Sequence, residues 1–150
     1  MSIETRNQIK DDIKDKIGED EEEPSLSEVK RYLKTKPELL DYFEDKGENC
    51  ILVKLYKKYE MIELNMLVVW VYSVNQIIKL QKFFRECFPD FSILEKLNLF
   101  VRVKLSSNYK LSQIFGELYK NQQNLNIDEY NVKQMSLEQI FLTFANQNKE

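Results

Sequence analysis

The sequence predicts an α+β fold, and three patterns indicate it. Apolar residues alternate along Leu99–Leu105, as in a strand that buries one face. They recur every three or four residues along Val74–Phe88 and Tyr109–Gln122, as in helices that bury one side. From residue 50 the predicted order is strand, helix, strand, strand, helix, strand and a last helix. This is the order of a ferredoxin-like split β-α-β sheet (βαββαβ), extended by a C-terminal helix and by extra N-terminal helices.

Residues 1–23 are predicted to be an acidic mobile arm. Three isoleucines at four-residue spacing favour a weak helix over 1–17, which Gly18 would end. The run from Glu19 to Glu23 is entirely acidic, so its charges repel one another and stay solvated. An acidic docking tail is the alternative function of this run.

Residues 24–48 are predicted to be a helical extension. Ser25 can cap a first helix, and Glu28 three residues later completes a capping box. A proline lacks the N–H that a helix interior needs, so a second short helix is expected over Pro37–Asp45. Gly47 is expected to end it.

Residues 49–150 are predicted to form the sheet domain. Cys50–Tyr56 alternates between two sides and is predicted to be a strand. Met61–Tyr72 is apolar and rich in β-branched residues, so a buried strand is predicted there, with a helix as the alternative. The helix over Val74–Phe88 is expected to end at Pro89.

The middle of this domain is predicted to contain a hairpin and a helix. The strands Ser92–Leu97 and Leu99–Leu105 are joined by a tight turn near Asn98. The helix over Tyr109–Gln122 follows, with Asn108 as its cap.

The chain is predicted to end in a strand, Asn126–Gln134, and a helix capped by Ser136. An i, i+3, i+4, i+7, i+8 pattern gives that helix one apolar side. Core packing is the main role assigned to this side, and docking of a partner is the alternative. The side consists of Leu137, Ile140, Phe141, Phe144 and Ala145.

No catalytic, cofactor-binding or metal site is predicted. The 150 residues include no histidine, the commonest general base and metal ligand. The three glycines are not spaced as a phosphate-binding loop. Cys50 and Cys87 lie in apolar surroundings and are predicted to be small core side chains. An enzyme that works with carboxylates alone is the weakest hypothesis.

The charges argue against a nucleic-acid partner. The net charge of −3 combines −5 over residues 1–23 with +2 over the rest, so no clustered basic face is predicted. The longest apolar run, Met66–Tyr72, is too short to span a membrane, and no targeting signal is readable at the N-terminus.

The C-terminal segment closely resembles the end of ABC transporters of the A subfamily. That family closes with I-x-D-Y-x-V-x-Q-x-S/T-L-E/D-Q-V-F-x-x-F-A, and residues 127–145 read IDEYNVKQMSLEQIFLTFA. Phe83–Pro89 and Leu99–Ser107 also resemble family segments, whereas the similarity over 37–56 is fainter. The motif positions are Tyr130, Gln134, Leu137, Gln139, Ile140, Phe141, Leu142, Thr143, Phe144 and Ala145.

The resemblance implies a regulatory domain that follows the nucleotide-binding domain of lipid exporters. In that family the domain is ferredoxin-like, lies on the cytoplasmic side of the membrane, and packs on the related domain of the other transporter half. The motif positions would then serve a protein–protein interaction. The ATPase motifs are absent from this sequence, so the chain is expected to be a segment of a transporter or a small protein that kept this domain.

Two functions are therefore predicted. The first is a non-catalytic regulatory or assembly domain whose partner is a related domain. The alternative is a small structural subunit that docks in a larger complex through its N-terminal helices. A free sheet edge would also allow self-association.

Overall fold

A computed structural model describes residues 1–18, 22–97, 100–106, 108–134 and 138–144. Helices and a small antiparallel sheet confirm the α+β class. The chain forms two compact units, one built mainly from Met1–Asn75 and the other from Gln76–Gln147. The predicted sheet domain from residue 49 stays a prediction. The elements are α1 (Ile3–Ile17), α2 (Leu26–Leu33), α3 (Pro37–Lys46), α4 (Ile51–Tyr59), α5 (Leu64–Cys87), β1 (Ser92–Leu97), β2 (Phe100–Leu105), α6 (Leu111–Asn121), β3 (Ile127–Gln134) and β4 (Glu138–Phe144).

The helix α1 packs against α2; the mobile arm over residues 1–23, of which 19–21 lie outside the described residues, stays a prediction. Ile13 is fully buried, and the hydroxyl of Tyr32 donates a 3.0 Å hydrogen bond to the carboxylate of Asp12. The weak helix is confirmed, and it ends at Gly18, whose φ of 123° suits glycine.

The two helices expected over residues 24–48 are confirmed. The Oγ of Ser25 accepts a hydrogen bond from the Glu28 N–H, and the Glu28 carboxylate accepts one from the Ser25 N–H. This is the predicted capping box. Pro37 lies at the start of α3, and Gly47 ends that helix with a φ of 53°.

The strand predicted over Cys50–Tyr56 is wrong, because these residues belong to α4 after the cap residue Cys50. A strand would have placed Ile51, Val53 and Leu55 on one face. Instead, Leu52 is fully buried while Ile51 is 51% exposed. A short apolar run fits both periods, so its pattern alone does not separate a helix from a strand.

The strand predicted over Met61–Tyr72 is also wrong, and the helix kept as its alternative is correct. The helix α5 begins at Leu64 and includes the helix predicted over Val74–Phe88. Its buried residues recur at helical spacing, since Leu64, Leu67, Val68 and Val71 are all at most 2% exposed.

The four strands form one antiparallel sheet in the order β1-β2-β4-β3. The hairpin strands β1 and β2 are confirmed, and β3 lies where a strand was expected; Asn98 and Leu99 lie outside the described residues. One face of the sheet is covered by α5 and α6. The buried core there consists of Leu80, Phe83, Phe84, Phe88, Val101, Val103, Leu105, Ile114, Leu118, Leu125 and Ile127.

The helix predicted after Ser136 is wrong, because Glu138–Phe144 forms β4. This strand lies between β2 and β3 and pairs with both. Pairing on two sides satisfies the backbone of the segment, and its isoleucine, threonine and phenylalanines are good strand formers. Ser136, Leu137 and Ala145 lie outside the described residues.

The helix over Tyr109–Gln122 is confirmed as α6, but its cap is not Asn108. The N-cap residue is Lys110, which makes no side-chain capping hydrogen bond. The N–H of Asn108 donates a 3.3 Å hydrogen bond to the Ser106 hydroxyl. Asn108 therefore belongs to the turn that precedes the helix and does not cap it.

The Tyr32→Phe variant is expected to lose about 1.5–3 kcal/mol of unfolding free energy, because a buried hydrogen bond to a charged acceptor disappears. Tyr32 is 1% exposed. Burial, and then the bond to Asp12, raises the pKa of Tyr32 above 10.0. The folded protein is stabilised by the neutral phenol of Tyr32. This stabilisation is complete at pH values below the pKa that tyrosine has in the unfolded chain, and it is lost as the pH rises towards the higher pKa in the folded protein.

Urea unfolding at pH 7 and pH 10.5 checks this expectation. The difference in unfolding free energy between wild type and Tyr32→Phe should be smaller at pH 10.5 than at pH 7. Tyr59→Phe is the control, since Tyr59 is 58% exposed. Equal stability of the wild type and Tyr32→Phe at pH 7 would contradict the role given to this hydroxyl.

Candidate protein-interaction surface

Among the described residues, β2 gives the sheet one buried face and one partly exposed face, which we name the open face, as the alternation along β2 predicted. Val101, Val103 and Leu105 are at most 1% exposed and point into the core. Phe100, Arg102 and Lys104 alternate with them and are only partly buried. The open face therefore carries one aromatic and two cationic side chains from β2, and arginine and aromatic residues are enriched in protein interfaces.

Arg102 lies near the middle of this open face. Its guanidinium is 3.7 Å from the carboxylate of Glu95 on β1, with the two side chains 38% and 37% exposed. An ion pair that is this exposed contributes at most about 1 kcal/mol. Its effect is rather to orient Arg102 across the face.

The register of β4 divides the family motif between the two faces of the sheet. Ile140 and Leu142 pair with the buried residues Val103 and Val101, so these positions lie on the helix-covered face. Phe141 pairs with Arg102 and therefore lies on the open face. The sequence predicted one shared side for the motif, which a strand cannot provide. On the open face Thr143 pairs with Phe100, and Gln139 pairs with Lys104.

The packing and register of β3 show where three further motif positions lie. Tyr130 is partly buried against the core, and its ring centroid is 6.0 Å from that of Phe115 on α6. Gln134 pairs with Glu138 at the end of the strand, and Phe144 pairs with Ile127, a core residue that is 4% exposed. Positions 141 and 144 are thus on opposite faces of the sheet.

The sheet has two edges, which the sequence did not distinguish. The edge strand β1 is interrupted by a bulge at Leu94, whose side chain is 47% exposed. The other edge strand, β3, has its own register shift between Ile127 and Glu129, after which its register is regular from Glu129 to Gln134. Because this regular stretch is longer than the one that follows the bulge in β1, β3 is the edge better suited to pairing with another chain.

The two cysteines do not form a reactive centre. Cys50 is 2% exposed. The thiol of Cys87 donates to the carboxylate of Glu117 across 3.6 Å, and burial, followed by the negative charge of Glu117, raises the pKa of Cys87. A nucleophilic cysteine needs the opposite shift. In the described ranges no cluster of acidic, cysteine or histidine residues could hold a metal ion.

Cys87 is therefore expected to react with iodoacetamide at pH 8 more slowly than an unhindered thiol. Glu117→Gln should speed the reaction about two- to fivefold, because it removes the neighbouring charge but not the burial. Mass spectrometry of the alkylated peptide gives the rate. Lys120→Gln is the control on the same helix, and it should not accelerate alkylation; equal rates for wild type and Glu117→Gln would contradict the assignment.

Two comparisons with known proteins give a match. The ABCA1-like C-terminal R1 regulatory domain matches residues 64–134, which extend from the start of α5 to the end of β3. The chain is 34% identical over 79 residues to ABC transporter A family member 11 of Dictyostelium discoideum; this match covers 51% of the chain and 10% of the relative. No solved structure matches.

Over residues 64–134 the chain is similar to the ABCA1-like C-terminal R1 regulatory domain, in agreement with the resemblance read from the sequence. The chain spans about a tenth of the relative that it matches. None of the helices in the described ranges has both the length and the apolar character required to cross a bilayer.

Proposed function

We propose that the sheet-containing part of the chain is a non-catalytic regulatory domain that works by packing on a related regulatory domain. The match to the R1 regulatory domain over residues 64–134, which include β1, β2 and β3, supports the proposal most directly. In a transporter of the A subfamily, such packing would bias the association of two nucleotide-binding domains. The chain would then lie at the cytoplasmic side of a membrane and take part in lipid transport.

Two features of the sheet support packing through this part of the molecule. The open face offers Phe100 and Arg102, which can lose their remaining exposure in an interface core. The edge of β3 offers backbone donors and acceptors from Glu129 to Gln134. A partner that covers the face and extends the edge would gain both apolar burial and main-chain hydrogen bonds.

We also infer that the sheet is a permuted form of the ferredoxin-like arrangement. In a βαββαβ sheet, the first strand lies between the third and the fourth. In this chain the segment expected to be that first strand is α4, and the central place between β2 and β3 is filled by β4. The motif at the end of the chain would thus complete the sheet rather than cover it.

The experiment that tests packing is a titration of the labelled full chain with regulatory domains from both halves of an A-subfamily transporter. We expect a micromolar dissociation constant for at least one of them. Arg102→Glu should raise this constant at least tenfold, whereas Lys79→Glu, a charge reversal on an exposed residue of α5, should change it less than twofold. No binding at 100 μM of either domain, or equal effects of the two variants, would overturn the proposal.

A non-catalytic role also predicts that the purified chain neither binds nor hydrolyses ATP, since the sequence has no glycine-rich phosphate loop. Isothermal titration calorimetry with Mg-ATP checks this. A micromolar affinity would show that a nucleotide site was missed.

The alternative is a small structural subunit that docks through its N-terminal helices. It is favoured by one observation, the exposed apolar residues Ile51, Tyr59, Met66 and Val69 near the end of the first unit. A transcript in which this chain is continuous with a nucleotide-binding domain would exclude the stand-alone subunit.

A further inference from the structure

The edge strand β3 carries charges of opposite sign on the two sides of its middle. Its sequence is IDEYNVKQ, in which Glu129 lies two residues before Asn131 and Lys133 lies two residues after it. Among the described strands β3 pairs only with β4, so its other side is an edge of the sheet. A second copy of this strand, running antiparallel along that edge, would bring its basic end to the acidic end of the first.

The residues of β3 alternate between the two faces of the sheet. Tyr130 and Val132 are partly buried against the core beneath the helices. Glu129 and Asn131 are exposed. Strand geometry places position 133 on the same face as these two, because it lies two residues beyond Asn131 in the regular register. The edge therefore has apolar residues on the covered face and polar or charged positions on the open face.

A two-fold axis through Asn131, perpendicular to the sheet, pairs this stretch with itself. Residues at equal distances before and after Asn131 then lie opposite each other. Glu129 of each copy faces Lys133 of the other on the open face, and Tyr130 of each copy faces Val132 of the other on the covered face. Pairs of opposite charge, and pairs of an aromatic with a β-branched residue, are combinations that stabilise antiparallel strands.

The main chain accepts this register, whereas the two nearest registers lose the charge match. Directly opposite residues in an antiparallel pair must both direct their N–H and C=O groups towards the partner strand, or both away from it. Glu129 and Lys133 meet this condition because they are an even number of residues apart. An axis moved to Tyr130 places Glu129 opposite Asn131, and an axis moved to Val132 places Lys133 opposite Asn131, so neither brings opposite charges together.

Apolar surface borders the same edge on the covered face. Phe115 of α6 is 41% exposed, and its ring centroid lies 6.0 Å from that of Tyr130. A valine placed opposite Tyr130 would extend this aromatic pair and reduce its exposure to water. Side chains on both faces of the edge, as well as its main chain, thus fit a second copy of β3.

We propose that β3 is the contact between two copies of this chain, which join their sheets about a two-fold axis at Asn131. The strand is complementary to itself, as an isologous interface requires. This inference rests on the proposed function in one respect, since both assign the β3 edge to pairing with another chain. Because a single short strand pair is smaller than a standard interface, we expect weak association, with a dissociation constant of about 10–200 μM.

Sedimentation velocity of the full chain from 5 to 500 μM tests the proposal, and the wild type should shift from monomer to dimer over this range. Glu129→Lys makes both members of each charged pair basic, and Lys133→Glu makes both acidic. Each variant alone should therefore raise the dissociation constant at least tenfold. The control Glu86→Lys, a charge reversal at an exposed position of α5, should change it less than twofold. Circular dichroism spectra identical to wild type would show that each variant is folded.

Two combinations of these variants restore the opposite charges and make the test specific. An equimolar mixture of Glu129→Lys and Lys133→Glu should form a heterodimer with about the wild-type dissociation constant. The double variant, which carries both changes in one chain, should dimerise with itself in the same way. Failure of either combination to associate would overturn the two-fold arrangement, because an unrelated contact has no reason to depend on these two positions jointly.

Hydrogen exchange followed by mass spectrometry locates the contact in the wild-type chain. Amides of β3 between Glu129 and Lys133 should exchange more slowly at 500 μM than at 5 μM, whereas amides of β1 should exchange at equal rates. Protection of β1 in place of β3 would assign the pairing to the other edge and overturn the proposal.

A wild-type chain that remains monomeric at 500 μM would also overturn the inference. The titration with transporter regulatory domains then separates it from the proposed function. If the monomeric chain binds one of those domains, the pairing of two copies fails alone. If it binds neither of them at 100 μM, the proposed function fails as well.

Discussion

Phe84→Ala is expected to lower the unfolding free energy by about 3–5 kcal/mol, which is a large part of the 5–15 kcal/mol typical of a domain. Phe84 is fully buried, and its ring is stacked on that of Phe91 with centroids 5.6 Å apart. Phe83 and Phe88 are its other ring neighbours, at 5.2 and 5.9 Å. Alanine leaves a cavity that these aromatic rings cannot fill without breaking their own contacts.

Thermal and urea unfolding followed by far-ultraviolet circular dichroism gives the size of this effect. Tyr119→Ala is the matched control, because it removes an aromatic ring from α6 in the same unit at a position that is 77% exposed. We expect the control to stay within about 0.5 kcal/mol of wild type. A Phe84→Ala protein as stable as the control would show that the aromatic cluster is not the core of the sheet.

Local signals predicted the structure well where one side chain satisfies the backbone beside it. The capping box of Ser25 and Glu28 fixed the start of α2, and Pro37 and Gly47 fixed both ends of α3. These signals are reliable because the hydrogen bonds and dihedral angles that they describe lie within a few residues. Asn108 shows the limit, since a polar residue near a helix can serve the preceding turn instead.

Apolar runs were misread where two periods fit equally well. Residues 51–56 and 61–72 can each bury residues in a strand or in a helix, and only their packing against the rest of the first unit decides between them. The buried set in α5, which includes Leu64, Leu67, Val68 and Val71, has helical spacing. That spacing was present in the sequence, but the β-branched composition outweighed it.

The end of the chain shows the opposite error. Ile140, Phe141 and Phe144 match a helical pattern, yet the segment is β4 because β2 and β3 offer it hydrogen-bonding partners on both sides. Those partners are distant in sequence, and no local pattern reveals them. The resemblance to the A-subfamily transporters was read from this motif, but the assignment of motif positions to faces required the strand register.

Trp70→Ala is expected to destabilise the first unit by about 3–5 kcal/mol. Trp70 is 7% exposed, and its ring meets those of Tyr42 and Phe43 edge to face, with centroids 6.3 and 6.1 Å apart. Such aromatic pairs contribute about 0.5–1.5 kcal/mol beyond their burial. The three rings join α3 to α5. Removal of the Trp70 ring should therefore weaken the contact between these two helices first.

Urea unfolding at 5 μM protein, followed by circular dichroism at 222 nm, measures the loss. Trp70→Phe separates the contribution of the ring contacts from that of the buried volume, because it keeps an aromatic ring at the site but removes part of the volume. Its unfolding free energy should fall less than that of Trp70→Ala. Tyr59→Ala, at a position that is 58% exposed, should stay near wild type at this concentration.

Because Trp70 is the only tryptophan, wild-type tryptophan fluorescence reports on this site alone, and its emission should shift to longer wavelength as the rings separate. An emission maximum already typical of exposed tryptophan in the native protein, or a Trp70→Ala variant as stable as Tyr59→Ala, would show that these rings do not hold α3 against α5.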